Sequence, residues 1–309
     1  MRVFVTGVSG FVGQHLARAL LARGHEVGGS YLDETFELPG VELHLLDLDG
    51  EAGSVGAALR AAIDTFRPQR IVHLAGLAHV GKSWQAMPAY YRVNLLGTEA
   101  VLAAAGGIPL LFASSAEVYG VVPEPEQPVG EERQPAPVSP YALTKGAAER
   151  LVLAAGGTVV RPFNMIGAGQ SRHFALPTFA RQLAAIEAGQ QPPVLAVGNL
   201  EARRDFVHVT DGAEAMTLLV EQGAPGGIYN IASGRSCSIR EALDLLLAVS
   251  GLVVETALDE RFLRPADIPL LCGTAEPLRR LGWQPRRSLE AALQELWQRS
   301  RSEVVEATR

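Results

Sequence analysis

Cysteine, lysine and long apolar runs are scarce in this chain of 309 residues. Its two cysteines, Cys237 and Cys272, lack the close spacing of metal ligands, and so few in a long chain predict no disulfide framework. No segment reaches the ~18 consecutive apolar residues that a membrane-spanning helix needs. The sequence therefore predicts no metal site and no contact with a membrane.

An excess of positive charge is also lacking. The chain has 27 Lys and Arg against 33 Asp and Glu, for a formal net charge of −6. A nucleic-acid-binding protein needs a basic surface, so we expect no nucleic-acid partner. Near the start of the chain, Thr6, Gly7 and Gly10 interrupt the apolar run that a secretory signal peptide would have. We therefore expect a cytoplasmic location.

Lysine is much rarer than arginine, because only Lys82 and Lys145 occur among the 27 basic residues. The lysine ammonium is compact and its pKa can be lowered, whereas the arginine guanidinium stays charged in a wide planar fork. A lysine in so arginine-rich a chain is a candidate for chemistry that arginine cannot perform. This consideration draws attention to Lys145.

Apolar segments with strand and helix patterns alternate through the first half of the chain. Strands are predicted at Val3–Val5, Glu26–Ser30, Glu42–Leu46, Arg70–Leu74, Pro109–Ala113 and Thr158–Arg161, and helices at Val12–Leu20, Gly53–Thr65, Tyr90–Ala105 and Tyr141–Ala155. Alternation at this spacing predicts right-handed crossovers and a parallel sheet that is covered by helices on both faces.

The second half of the chain is less regular. Pro177–Gly189 has a helical pattern, and Val194–Val197 and Gly227–Ala232 have strand patterns. From Ile239 onward we expect helices and loops, and at Val122–Pro137 an exposed loop rich in proline and glutamate. We interpret this half as a smaller lobe that packs beside the carboxyl edge of the sheet.

The stretch TGVSGFVG places Gly7, Gly10 and Gly13 between the first strand and the first helix. Glycine allows a tight turn and lets a pyrophosphate approach backbone N–H groups at a helix N-terminus, where the dipole favours anions. A glycine-rich turn without a ligand is the alternative, but the position directly after the first strand favours a dinucleotide site.

The end of the second predicted strand does not decide which nicotinamide nucleotide binds. An acid there holds the ribose 2′-hydroxyl of NAD, and an arginine holds the 2′-phosphate of NADP. This chain has Ser30 and Tyr31, whose hydroxyls could contact a 2′-phosphate, followed by Asp33 and Glu34, which would repel it.

Two further segments carry groups suited to proton transfer. In LFASSAEVYG, Ser115 and Glu117 follow a predicted strand. In the second segment, Tyr141 and Lys145 lie at i and i+4 on one face of a predicted helix. Ser139 is the predicted N-cap of this helix. An ammonium beside a phenol favours the phenolate, so we expect the pKa of Tyr141 to be lowered from ~10. Such a phenol could exchange a proton with a sugar oxygen. A surface Tyr/Lys pair is the alternative for an isolated YxxxK.

The order TGxxGxxG, strand-end serine and YxxxK resembles the extended short-chain dehydrogenase/reductase family, most of whose members act on nucleotide sugars. The resemblance covers the whole chain: HLAGLAHVGKSW after the fourth strand, Asn94 with Gly97 and Thr98, and RPFN at Arg161 match family segments as well. It implies an enzyme that uses NAD(P) and whose Tyr141, Lys145, Ser115 and Glu117 are catalytic.

The resemblance also implies the architecture and the cofactor contacts. The fold would be a Rossmann-like doubly wound parallel sheet, with residues 1–164 and about 205–233 binding the dinucleotide, and 165–204 and 234–309 forming a smaller C-terminal substrate-binding lobe. A homodimer is implied, through the Asn94–Gly97 and Tyr141 helices. The implied cofactor contacts are Gly7, Gly10, Phe11, Val12, Gly13, Asp47, Leu48, Leu74, Ala75, Gly76, Tyr141 and Lys145.

A narrower similarity lies downstream. VGNLEARRDFVHVTD, LRPADIPLLCG and GWQPRRSLEAAL resemble the GDP-mannose 4,6-dehydratases and the reductases of their 4-keto product. By this resemblance Arg204 and Arg264 would clamp a GDP diphosphate, as guanidinium forks suit phosphate oxygens. The implied substrate contacts are His79, Asn164, Val197, Arg204, Arg264 and Asp267.

Dehydratase and reductase both remain open at this point. Glu117 stands where dehydratases of this branch keep a carboxylate that removes the C5 proton, whereas NMIGAGQ at Asn164 resembles the reductases. We favour a reductase that transfers hydride to C4 of a GDP-4-keto-6-deoxyhexose and forms a GDP-6-deoxyhexose such as GDP-rhamnose. A 4,6-dehydratase and a 4-epimerase are the alternatives. The resemblance slightly favours NADP(H) over NAD(H).

Overall fold

The computed structural model describes residues 1–33, 35–263 and 265–306. The strands are β1 (Arg2–Thr6), β2 (Glu26–Tyr31), β3 (Val41–Leu45), β4 (Arg70–His73), β5 (Leu110–Ala113), β6 (Thr158–Pro162), β7 (Asn164–Ile166), β8 (Val194–Val197), β9 (Arg203–His208), β10 (Ile228–Ile231), β11 (Ser236–Ser238), β12 (Glu255–Leu258) and β13 (Leu270–Leu271).

The α-helices are α1 (Phe11–Ala22), α2 (Ala52–Phe66), α3 (Val80–Ser83), α4 (Met87–Tyr90), α5 (Gly97–Ala105), α6 (Pro140–Ala154), α7 (Ala175–Glu187), α8 (Val209–Gln222), α9 (Ile239–Ser250), α10 (Glu276–Arg280) and α11 (Leu289–Glu306). A π-helical segment, Tyr91–Leu96, joins α4 to α5. None of the described helices combines the length and the apolar character that crossing a membrane requires.

Seven parallel strands form the main sheet, in the order β3-β2-β1-β4-β5-β6-β10. The chain runs outward from β1 through β2 to β3, then returns to pair β4 with the other side of β1, where Thr6 aligns with His73. The order of the strands therefore reverses between β1 and β4. In open α/β sheets, ligands bind at the carboxyl ends of the strands at such a switch point.

Helices cover both faces of this sheet, as the alternation of strand and helix patterns in the sequence predicted. On one face, Leu16 of α1 and Met216 of α8 pack in one apolar cluster with β1. On the other face, Leu59 of α2, Val101 of α5 and Val152 of α6 pack in a second cluster. The doubly wound, Rossmann-like fold predicted from the sequence is confirmed.

The smaller lobe contains β8, which the sequence pattern predicted, and further strands that it did not predict. β9 pairs with β7 and β13 in parallel and with β11 antiparallel, and β8 pairs with β12. A third apolar cluster joins α7, α9 and α11. The tail after Ile239 thus contains strands as well as helices. β7, β11 and β13 have only two or three residues each, which is too few to show a period in the sequence.

The segment predicted as an exposed loop at Val122–Pro137 is partly anchored in the fold. Val122 and Val129 are buried. The Gln127 side-chain amide donates to the carbonyls of Val122 and Leu270 and accepts from the Cys272 N–H. The Asn230 side-chain amide of β10 donates to the carbonyl of Val129. The loop therefore ties the main sheet to the smaller lobe, which its polar composition did not reveal.

The division of the chain into two domains remains a prediction. Within the range 205–233, α8 packs against α1 and β10 extends the main sheet beside β6. β9, which overlaps the start of this range, instead lies in the smaller sheet.

Candidate functional site

The turn after β1 is shaped by its glycines. Gly7 has φ +71, and a Cβ there would lie 2.9 Å from the backbone of Ala75. A Cβ on Gly13 would lie 2.3 Å from the carbonyl oxygen of Gly7. Gly10 is the N-cap of α1 and brings no side chain to the backbone N–H groups of its first turn. These N–H groups and the helix dipole suit a phosphate, so the turn fits the pyrophosphate of a dinucleotide.

Ser30, at the end of β2, supports this turn. Its hydroxyl accepts the Gly7 N–H at 3.0 Å, its carbonyl accepts the Val8 N–H at 2.9 Å, and it is 2% exposed. The hydroxyl that could have contacted a 2′-phosphate is therefore part of the turn. Asp33 follows on the surface, where its carboxylate accepts the N–H and hydroxyl of Thr35, and these hydrogen bonds lower its pKa.

The other predicted cofactor contacts lie near the carboxyl ends of neighbouring strands. Phe11 and Val12 begin α1 and are half-buried, and Leu74, Ala75 and Gly76 follow β4 at the switch point. Asp47 is exposed and Leu48 is buried beyond β3.

A buried chain of hydrogen bonds joins β1, β4 and α5 at the switch point. The Ala75 N–H donates to the Thr6 hydroxyl, which lies 2.7 Å from Nδ1 of His73, and Nε2 of His73 lies 3.0 Å from the Thr98 hydroxyl. Thr98 donates to the carbonyl of Asn94, so the proton of the His73 ring lies on Nε2. Burial and the charge of Lys145 lower the pKa of His73 to about 3. The ring is therefore neutral at physiological pH.

Helix α6 presents the Tyr/Lys pair as its sequence predicted. The Ser139 hydroxyl accepts the Ala142 N–H at 3.1 Å, and Pro140 occupies the first turn. Tyr141 and Lys145 are 6% and 5% exposed, so they are not a surface pair. One turn later, Glu149 forms a buried two-point ion pair with Arg161, at 3.0 and 2.8 Å.

Lys145 contacts the end of β5. Its ammonium donates to the carbonyl of Ala113 at 2.8 Å and lies 4.7 Å from the ring centroid of Phe112. Burial lowers the pKa of Lys145 to about 8, and the charge of Glu149 opposes this decrease. The lysine is therefore close to its protonation midpoint at mildly alkaline pH.

The expectation that Lys145 lowers the pKa of Tyr141 is wrong for this structure. Burial raises the pKa of Tyr141 to about 12, and the charge of Glu117 adds to the increase. A hydrogen bond with Ser115 opposes it without overcoming it. The desolvation of a buried phenolate exceeds the influence of its neighbours. Tyr141 is thus a protonated phenol at neutral pH and has a proton to donate, but the raised pKa makes it a weaker acid than an exposed tyrosine.

Ser115, Glu117 and Tyr141 come together as expected. Ser115 begins a 3₁₀ turn, in which its hydroxyl accepts the Glu117 N–H at 3.2 Å. The contribution of this hydroxyl and of the Glu117 charge to the pKa of Tyr141 shows that both groups lie near the phenol. The chain therefore places a hydroxyl, a carboxyl group and a phenol at the end of β5.

A cavity of about 660 Å³ separates the main sheet from the smaller lobe. Four predicted substrate contacts line it: His79, Asn164, Arg204 and Asp267. Val197 instead lines a neighbouring groove, which shares Gly198 and Asn199 with the cavity. Arg264 lies outside the described residues. Tyr141 packs against Val80, next to the cavity wall.

Arg204 has hydrogen-bond partners within the protein that the sequence did not indicate. It is 5% exposed, and its guanidinium donates to Asp267 at 2.8 Å and to the backbone carbonyls of Arg203 and Ile268. Asp267 also accepts the side-chain amide of Asn199 at 2.9 Å. Arg204 and Asp267 therefore form an ion pair in the cavity wall.

Several cavity residues escaped the sequence analysis. Lys82, Trp84 and Arg172 line it, together with an aromatic set formed by Phe174, Phe179, Phe206 and Phe262. Only Lys82 carried a signal, as one of two lysines in the chain. Trp84 and Phe206 lie in segments that resemble the family, but nothing in those segments marked them as cavity residues. The others lie in segments without a motif, and the fold alone brings them into the cavity wall.

Comparison with known proteins gives consistent matches. Residues 3–232 match the NAD dependent epimerase/dehydratase family. GDP-6-deoxy-D-mannose reductase of Pseudomonas aeruginosa is 36% identical, over 98% of this chain and 99% of that protein.

Solved structures agree with this match. A structure of RMD from Pseudomonas aeruginosa complexed with NADPH has a TM-score of 0.83 and 33% identity, over 98% of this chain and 99% of that one. A UDP-glucose 4-epimerase of Thermus thermophilus complexed with NAD has a TM-score of 0.86 and 30% identity, over 97% of this chain and 99% of that one.

Proposed function

The chain belongs to the NAD dependent epimerase/dehydratase family, and we propose that it reduces C4 of a GDP-4-keto-6-deoxyhexose to form a GDP-6-deoxyhexose such as GDP-rhamnose. It is an NAD(P)-dependent oxidoreductase that acts on a nucleotide sugar. The similarity to GDP-6-deoxy-D-mannose reductase over nearly the full length supports this substrate class.

The observation that best supports the proposed reaction is the protonated Tyr141 phenol beside Ser115. Reduction of a ketone requires a proton donor at the carbonyl oxygen, and a phenol with a pKa raised to about 12 holds its proton at neutral pH. Ser115 would donate a hydrogen bond to the same oxygen. The nicotinamide supplies the hydride when it is bound.

Lys145 would hold the ribose of the cofactor and orient the phenol. Its ammonium is anchored on Ala113, at the end of the strand that leads to Ser115. Gly76 lies beside it, since a Cβ there would be 3.4 Å from Nζ. The proximity of Gly76 to the Lys145 ammonium supports a role for both at the cofactor.

The substrate contacts form the second part of the proposal. His79 and Asn164 would contact the sugar, Arg204 and Arg264 the diphosphate, and Asp267 and Val197 the nucleoside. The position of four of these residues in the lining of one cavity supports this assignment: His79, Asn164, Arg204 and Asp267.

NADP(H) is the cofactor that we favour slightly. The bound NADPH in the similar Pseudomonas aeruginosa structure supports it, and the Asp33 carboxylate at the end of β2 opposes it. Thermal unfolding with NADPH and with NADH would separate the two, because a ligand that binds only the folded state raises its stability. A larger shift with NADH would overturn this preference.

We also propose a homodimer through the π-helical segment, α5 and α6. Tyr91, Leu96, Leu143 and Leu151 are apolar and 38–53% exposed on these elements. The π-helical segment packs beside α6, so exposed apolar side chains on both elements support an interface there. Leu96→Glu should convert the dimer to a monomer in light scattering, whereas Leu245→Glu on α9 should not. A wild-type monomer would contradict the proposal.

A GDP-mannose 4,6-dehydratase is the second candidate, because Glu117 lies near the Tyr141 phenol. The two activities differ in what they consume. A dehydratase converts GDP-mannose to the 4-keto sugar without added reductant, whereas a reductase oxidises NADPH only when the keto sugar is present. Incubation with each substrate in turn therefore separates them. A 4-epimerase, the third candidate, would release no oxidised cofactor.

A further inference from the structure

Two cations on the wall of the cavity have no carboxylate partner among the described residues. Lys82 on α3 and Arg172, shortly before α7, both line the cavity, and neither forms an ion pair within residues 1–33, 35–263 and 265–306. Arg261, on the same wall, is in contrast paired with Asp259 at 2.6 Å. Glu260 is the one acidic side chain on the described wall besides Asp267. This part of the wall therefore carries positive charge that the described residues do not neutralise.

Arg204 contributes little to this unpaired charge. It shares the wall with Lys82 and Arg172, but it is buried and paired with Asp267. To turn towards a phosphate it would have to give up a carboxylate and two carbonyl partners. A diphosphate that Arg204 and Arg264 contact, as proposed above, would therefore still leave negative charge for further cations of the cavity wall to balance.

One histidine ties together the segments that carry Lys82 and Arg172. Nδ1 of His79 accepts the backbone N–H of Lys82 at 2.9 Å, which leaves the proton of a neutral ring on Nε2. Nε2 then donates to the carbonyl of His173, the neighbour of Arg172, at 2.9 Å. The bridge joins the main-sheet side of the cavity to the lobe side. It therefore links the two segments that carry Lys82 and Arg172, both of which line the cavity.

We propose that Lys82 and Arg172 both bind the diphosphate of the nucleotide sugar in this cavity. The inference rests on the proposed function, because the nucleotide sugar is what would bring a diphosphate into this cavity. Arg172 offers a planar fork of donors, and Lys82 offers a point charge on a flexible stem. The two residues complement Arg204, whose charge is already matched by Asp267.

Binding of GDP, guanosine and inorganic pyrophosphate by calorimetry tests this site. Lys82→Gln and Arg172→Gln should each weaken GDP and pyrophosphate binding about tenfold, as expected for the loss of one charge-assisted contact. Guanosine and NADPH binding should stay unchanged, and Lys82→Arg should retain GDP affinity. Arg181→Gln is the matched control, because Arg181 is an exposed cation of α7 outside the cavity wall.

The outcomes separate this site from the proposed reaction. Unchanged GDP affinity in both variants would overturn the site, even in an enzyme that reduces the keto sugar. Equal losses for GDP and guanosine would also overturn it, because they would indicate a disturbed cavity. Pyrophosphate binding that depends on Lys82 and Arg172, in a protein that does not reduce the keto sugar, would support the site and refute the reaction.

Discussion

The Lys145 ammonium donates a 2.8 Å hydrogen bond to the backbone carbonyl of Ala113. This bond fixes the lysine to the end of β5, the strand that leads into Ser115. Tyr141, one turn earlier on α6, keeps a raised pKa in this arrangement because it is buried. The pair therefore supplies a positioned ammonium and a protonated phenol, which is the combination that a ketone reductase needs.

Replacement of Tyr141 by phenylalanine tests the proton donor. The change removes the hydroxyl and keeps the ring that packs on Val80 and Tyr90. We expect kcat to fall by roughly 10²-fold or more, as for the loss of a general acid. NADPH affinity should remain within a few-fold, as titration of cofactor fluorescence would show. Unchanged turnover would exclude this phenol as the donor.

Replacement of Lys145 by methionine tests the positioned ammonium. The long side chain keeps the packing and loses the charge, so we expect at least a tenfold loss of kcat/KM. Burial lowers the pKa of Lys145 to about 8, and its positive charge is therefore lost as the pH rises through 8. In the wild type, a pH profile should show activity that declines above that value. A profile that stays flat to pH 10 would contradict this role.

Replacement of Gly13 by alanine tests the turn after β1. The added Cβ would meet the carbonyl oxygen of Gly7 at 2.3 Å, so the turn must shift. We expect cofactor affinity to fall by about tenfold or more, because the N–H groups of α1 are displaced from the phosphate position. Gly53→Ala in α2 is the control, since a Cβ there meets nothing within 4 Å. Equal affinities in the two variants would contradict the phosphate site.

Acidification should destabilise the protein through His73. The pKa of its buried ring is about 3 in the folded chain, against the 6.5 of an unperturbed histidine, so between these values the unfolded chain binds a proton that the folded chain does not. Stability therefore decreases as the pH falls below 6.5, by about 1.4 kcal/mol per pH unit. We would measure the free energy of unfolding in urea at pH 7.5 and 5.5 for the wild type and for His73→Gln, and the variant should lose less stability at the lower pH. An equal loss of stability in the two proteins would refute this role of His73.

The fold could be predicted in large part because its signals are local. β1, β4 and β5 are short apolar runs between turn signals, and the helical period of α1 and α2 extends over several turns. Short strands such as β7 and β13 depend on pairing with β9 and carry no period of their own. Their existence is a consequence of tertiary packing.

The candidate site was predictable where a motif marks it. Gly7, Ser115, Tyr141 and Lys145 lie where their motifs indicated, but the direction of the Tyr141 pKa shift was not predictable. Proximity in sequence indicates which charge lies near the phenol, whereas the depth of burial depends on the whole fold. The hydrogen-bond partners of Arg204 could not be predicted either, because they also depend on the whole fold.

Measurement of NADPH oxidation with GDP-4-keto-6-deoxymannose is the most direct test of the proposed function. We expect oxidation that depends on the keto sugar, yields one GDP-6-deoxyhexose per NADPH and is absent with GDP-mannose. Conversion of GDP-mannose to the keto sugar in the absence of NADPH, together with no oxidation when the keto sugar is supplied, would contradict the account.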